Sequence, residues 1–229
     1  MALTPRVDLN LANFEQLLTM RGYNLVHYKS LLCPCIDSES HAPDPTCPLC
    51  DKGYQYYGEE NIVGLMTGVS AEKQFTDAGG FFLGTVQLTV LPTVTLSYHD
   101  RIIHTDSIMS YNDMIQSNGP GGVDKAKFPI ISPTFCISTQ NGVNTTYTLG
   151  VDYSVSGNQI TWLSGGNSPA QGAYYSLVYT CHPSWLVVSF LHLVRDINVA
   201  MPAGAGDGYQ QGPVQALCKL EFLLDEYKS

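Results

Sequence analysis

The amino-acid sequence predicts a mainly β protein, with one short N-terminal helix and a small cysteine-rich segment ahead of the strands. Three observations carry this. Val214, Ala216, Cys218, Leu220, Phe222 and Leu224 fall on one face at period two, the repeat of a half-buried strand. Val151, Tyr153 and Val155 alternate with polar residues, Ser156-Gly157-Asn158 supplies turn chemistry, and Ile160 and Trp162 resume the pattern, which reads as a hairpin. Helical periodicity, by contrast, is confined to one stretch near the N-terminus.

In that stretch Asn13 is the expected N-cap, with Gln16 completing a capping box. Phe14, Leu17, Leu18 and Arg21 share one face, and Gly22 marks the stop. Residues 31 to 58 follow as a Cys-, Pro- and Tyr-rich segment without periodicity. From about Phe81 the reading is β. Val86, Leu88 and Val90 alternate with Gln87 and Thr89, and Val94 and Leu96 with Thr95 and Ser97. A long polar connection is expected from about Asp106 to Lys127, broken by Asn118-Gly119-Pro120-Gly121-Gly122, in the manner of a contact arm. A second loop, Gly165 to Gly172, leads into a strand over Ala173 to Thr180, and a Gly-rich loop spans Pro202 to Gly212. The expected division is a helix-plus-cysteine segment over 1–60 and a β domain with long inter-subunit loops over 61–229.

Apolar residues make up 44% of the 229, enough for a core, while only 14% are charged. Sparse charge points to a surface covered by partners. The net charge of −9 argues against a protein that grips nucleic acid, whose phosphates call for clustered Lys and Arg. An acidic wall would still let duplex DNA slide past. Met1 to Leu11 has no apolar core of a signal peptide, and Trp185 to Val194 is too short to span a bilayer. A soluble protein made in a cytoplasm is expected, where seven cysteines serve as thiols or metal ligands rather than disulfides.

Cys33-Pro34-Cys35 and Cys47-Pro48-Leu49-Cys50 form two close-spaced pairs separated by eleven residues. Zinc takes four soft ligands in a tetrahedron, and two such pairs on adjoining turns supply them. Gly53 suits a knuckle in which backbone amides turn toward sulfur. Zinc held by Cys33, Cys35, Cys47 and Cys50 ranks ahead of four buried thiols or a pair of disulfides, with His41 an alternative to one ligand. Four thiolates leave no open position, so one structural Zn2+ per chain is expected, in a zinc-knuckle segment beside a β-sandwich or barrel-like domain. Cys136, Cys181 and Cys218 sit singly in strand patterns and read as core.

No catalytic constellation emerges. His99 and His104 around Asp100-Arg101, and His192 before Arg195-Asp196, read as strand-end polar groups and local salt bridges. Gly204-Ala205-Gly206-Asp207-Gly208 lacks the Lys-Ser/Thr ending and the following helix of a phosphate loop. The 14 tyrosines, including Tyr54, Tyr56, Tyr57, Tyr174 and Tyr175, lack interleaved basic residues and fit a protein interface better than nucleic-acid stacking.

Two segments taken together carry a resemblance. One is Cys33-Pro34-Cys35, then Pro43-Asp44-Pro45-Thr46-Cys47-Pro48-Leu49-Cys50 and Gly53-Tyr54. The other runs from Leu149-Gly150-Val151-Asp152-Tyr153 through Ile160-Thr161-Trp162, Pro169, Gly172, Tyr175, Tyr179 and Pro183 to His192-Leu193-Val194-Arg195-Asp196. The combination resembles neck, or head–tail connector, proteins of tailed bacteriophages. The resemblance implies a structural virion protein without enzymatic activity, located in the neck and assembled in the host bacterial cytoplasm. It also implies a ring around the DNA channel, and the low charge, many tyrosines and long glycine-rich loops suggest a homo-oligomeric ring, a hexamer ahead of a dodecamer. Neighbouring connector and tail proteins would be its partners, duplex DNA would only pass through, and no membrane is involved. Candidate reaching loops lie near Asn118 and Gly206. The alternatives are a tail-tip or baseplate adaptor and, behind it, a zinc-binding regulatory factor.

Overall fold

A computed structural model describes residues 11–40, 42–44, 46–47, 49–50, 53–68, 84–140, 142–192, 196–199 and 208–224. The chain is mainly β, with one short N-terminal helix and several sheets, as the alternating patterns predict. It forms two compact units, one from Met1–His104 with Ser184–Ser229 and the other from Thr105–Pro183. The division expected at residue 60 is therefore corrected. A strand runs through that point, and the cysteine segment is a loop between two strands of one sheet.

In the first unit the helix α1 (Leu11–Arg21) leads into β1 (Tyr23–Leu32), β2 (Tyr54–Gly68), β3 (Thr85–Val90) and β4 (Arg101–His104). After the second unit the chain returns with β12 (Ser184–His192), β13 (Asp196–Val199), β14 (Gly208–Gln211) and β15 (Val214–Leu220). Six of these strands close a barrel in the order β1-β2-β3-β15-β12-β4, and β13 pairs with β14. So few strands leave a narrow interior that side chains fill. Leu25, Leu88, Val90, Ile102, Val187 and Ala216 occupy it. Gly64 shows how tightly. It is paired with Tyr23 of β1 on one side and with Val90 of β3 on the other. A Cβ there would stand 3.0 Å from both Leu25 Cδ1 and Leu88 Cδ1, so any larger residue would make these core side chains give way.

Helix α1 begins at Leu11, so Asn13 lies inside it and is not the cap. Of the expected apolar face, Leu18 is buried and Phe14 half-buried, while Leu17 and Arg21 are exposed. Gly22 ends the helix, its N–H donating to the Leu18 carbonyl at 2.7 Å. A side chain there would collide with that oxygen and with Val63 of β2.

Two alternating runs behave differently from expectation. Val94 and Leu96 are buried, yet their segment pairs with no strand. The Val94 N–H closes a turn on the Leu91 carbonyl, and the Ser97 N–H donates to the Asp100 carboxylate at 2.7 Å, so the backbone is spent locally. At the C-terminus β15 stops at Leu220, and Phe222 and Leu224 lie in a 3-10 turn, Glu221–Leu224. Glu221 holds that turn through the Arg101 guanidinium and the Ser184 hydroxyl, the latter at 2.6 Å.

The second unit contains β5 (Met109–Gln116), β6 (Val123–Lys125), β7 (Ser132–Gln140), β8 (Val143–Thr146), β9 (Tyr153–Ser156), β10 (Gln159–Trp162) and β11 (Tyr174–Cys181). They make a three-stranded sheet, β6-β10-β9, and a four-stranded one, β5-β11-β7-β8. The expected hairpin is present as β9–β10, turning at Gly157 with φ 59°. Val151 precedes it, exposed. The expected polar arm over 106–127 is instead two strands and a pinned turn. Asp124, buried, accepts from the Asn118 N–H at 2.7 Å, the Trp162 indole at 2.6 Å and the Tyr175 hydroxyl at 3.0 Å. Around that carboxylate, Trp162 meets Tyr147, Tyr153 and Tyr175 at centroid distances of 5.0, 5.7 and 5.2 Å, mostly edge-on, which suits the ring quadrupoles. The reaching loop expected near Gly206 lies outside the described residues.

Candidate metal centre

β1 and β2 form one long antiparallel hairpin whose last pair is Leu32 with Tyr54. The Cys33 N–H donates to the Gly53 carbonyl at 2.8 Å, carrying the ladder one step further and fixing the roots of the 33–53 loop. Cys33 leaves at one root and Cys50 returns near the other, so two pairs distant in sequence meet.

The loop is shaped by short local bonds. The Ile36 N–H closes on the Cys33 carbonyl at 3.1 Å, a turn that holds Cys33 and Cys35, and the Cys47 N–H closes on the Asp44 carbonyl at 3.2 Å, a second turn that ends at Cys47. Asp37 accepts from the backbone of Glu39 and Ser40, and Asp44 from the N–H and hydroxyl of Thr46. These are Asx turns, which order a chain without a core. The bonds from Ser40 and from Thr46 hold the two carboxyls below the ordinary range. Gly53 has φ 89°, which favours glycine, and a Cβ there would press on Pro43 and Ile36.

All four sulfurs lie within 4.8 Å of one another. Cys33 and Cys47 are 3.9 Å apart and Cys35 and Cys50 3.4 Å. Four sulfurs about 2.3 Å from one ion define a tetrahedron with edges of about 3.8 Å, so these separations match a shared ligand set. They exceed a disulfide bond of about 2.05 Å, and all seven cysteines are free thiols. Cys35, Cys47 and Cys50 are half-buried, so these side chains are not packing groups hidden in a core.

Hydrogen bonds to sulfur come from the protein. The Gln55 amide donates to Cys33 Sγ at 3.2 Å. The backbone N–H of Cys35 is the main influence holding the Cys33 thiol below its ordinary value. Burial pushes Cys35 up despite a backbone bond from Asp44, and it pushes Cys50 up to about 12, aided by the Cys35 sulfur, against a bond from the Gly53 N–H. Four thiolates so close repel one another, and a dication removes that conflict. The residues present therefore fit a metal ion.

The remaining sequence candidates separate from this centre. Cys136, Cys181 and Cys218 are buried core groups, their thiols pushed by burial to about 12, 11 and 12. His41 and the 204–207 part of the glycine loop lie outside the described residues. His99 stacks on Tyr54 at 4.2 Å, and His104 packs beside Tyr23. Asp100 accepts from His27 Nε2 at 2.8 Å, 73 residues away, from the backbone N–H of Ser30, and locally from the backbone N–H of Ser97. Burial alone would raise its pKa; the His27 bond and the two backbone bonds outweigh this and hold it below the ordinary value. Sequence reasoning missed this buried pair and the Gln55 donor.

No known family model matches the chain, and no characterised protein matches it.

Proposed function

We propose that the chain is a structural virion protein of a tailed phage, part of the neck ring around the DNA channel, and that its four clustered cysteines hold one zinc ion. The observation that carries the structural reading is the closed ligand set. Four sulfurs fill a tetrahedral ion, so no position remains for a water or substrate, and the metal's work is to fix the hairpin tip. Zinc fits ahead of redox metals because four thiolates bind it tightly and the role needs no electron transfer. A metal-tied tip on a closed barrel gives a ring subunit a stiff projection without a core of its own.

Two further features support the reading. The chain is acidic and sparsely charged, which suits a lumen that duplex DNA traverses without adhering. Among the described residues, no helix is long and apolar enough to cross a membrane. In the proposed neck the protein forms a ring, six copies ahead of twelve, between neighbouring connector and tail proteins. Particles assembled without it should yield filled heads and complete tails that fail to join. Joined particles in normal yield would overturn the proposal, and loss of the tail tip alone would move the protein to the baseplate.

A further inference from the structure

Charge is unevenly spread over this chain. The Thr105–Pro183 unit holds Asp106, Asp113, Asp124, Lys125, Lys127 and Asp152 and no other charged residue. Three of the four aspartates are spent inside it. Asp124 and Asp152 are buried at 1% and 5% exposure, each accepting backbone N–H bonds. Asp113 is half-buried and accepts from the Lys127 N–H and the Tyr179 hydroxyl.

The four-stranded sheet has an outward face with no charge at all. β5 turns out residues 110, 112, 114 and 116, and β11 turns out 174, 176, 178 and 180. The register sets Phe135 beside Val178 and Ile137 beside Ser176, with Thr146 beyond. Met114, Phe135 and Tyr174 are 71%, 58% and 55% exposed there, amid Ser, Thr, Asn and Gln. Met and aromatic groups with depleted Lys, Glu and Asp are the composition of an interface centre.

We infer that this face is the surface on which a neighbouring copy of the chain packs, through its own Thr105–Pro183 unit. The charge distribution selects that occupant. Each copy carries −9, so copies repel except where neither presents charge. A charged partner surface would be desolvated here against no counter-charge. Hydroxyls and amides both donate and accept, so this face can satisfy another uncharged surface of the neighbour's Thr105–Pro183 unit, a heterologous contact of the kind a ring needs. Nucleic acid finds no cation on it. The inference rests on the assembled-subunit reading but not on the assembly being a phage neck, so failure of the particle experiment leaves it standing.

The test is sedimentation velocity and native mass spectrometry of the full chain across a concentration range, comparing wild type with Met114→Glu and Phe135→Glu. Wild type should form an oligomer, and each variant should weaken it by about a hundredfold, since the introduced carboxylate is desolvated against a surface with no counter-charge. Compared at dilutions where wild type too is dissociated, their thermal unfolding should match wild type, because both side chains are exposed in the single chain. Ser176→Glu, paired with Met114 and Ile137 at the centre of the face, keeps the test in force should an apolar variant misfold. Met20→Glu, equally exposed on α1, should leave assembly unchanged. A wild-type monomer at every concentration would overturn the inference. So would face variants that assemble like wild type, or an equal effect of Met20→Glu.

Discussion

The tip of the β1–β2 hairpin and the interior of the barrel use the same two residue types to opposite ends. At the tip, Cys33, Cys35, Cys47 and Cys50 converge on one point, and Asp37 and Asp44 bind nearby backbone at the surface. Inside the barrel, Cys218 is one apolar group among Leu88, Val187 and Ala216, and Asp100 is sealed from water against His27. The difference teaches that a cysteine's role follows from its neighbours. Four sulfurs with shared access to one point make a ligand set, while one thiol surrounded by methyl groups makes a core.

Substitutions at the two places should fail differently. Cys47→Ser should produce the largest change, lowering metal affinity by more than about a hundredfold, because one ligand of a closed set is lost. Hydrogen exchange should then rise across the 33–53 loop while the barrel strands stay protected. Cys218→Ser should cost about 2 kcal/mol of stability, the penalty of a buried hydroxyl without a partner, with metal content unchanged in chemical denaturation and metal assays. A variant at Cys218 that released metal would dissolve the contrast.

Asp100 sharpens it through pH. Its folded pKa is depressed, so its contribution is complete above the unfolded carboxylate value of about 3.9 and is lost as pH falls through the lower folded value. Thermal stability of wild type should therefore fall below about pH 4, and Asp100→Asn should flatten that fall. At neutral pH the same variant should lose about 2 kcal/mol, since an amide turns a donor toward N–H groups. The smallest effect is expected from Gln55→Ala, which removes one bond to Cys33 and should weaken metal binding by about tenfold in a chelator competition.

How far this was legible in the sequence depended on distance along the chain. The cysteine set was readable because each pair is local and the turns between are short. The β9–β10 hairpin was readable because Gly157 and flanking alternation coincide. β5 was hidden because its buried side includes Asp113 while Met114 faces solvent, inverting the pattern in mid-strand. Val94 and Leu96 misled in the other direction, since burial produced alternation without a partner strand. The His27–Asp100 bond and the second unit, inserted between β4 and β12, depend on chain return, which no local window records.

The most direct test of the central claim is the metal content of purified protein, read with the absorption edge of the bound ion. The account predicts about one zinc per chain, surrounded by four sulfurs at about 2.3 Å. Metal-free protein whose hairpin tip is as protected as before, or an edge showing only nitrogen and oxygen ligands, would contradict it.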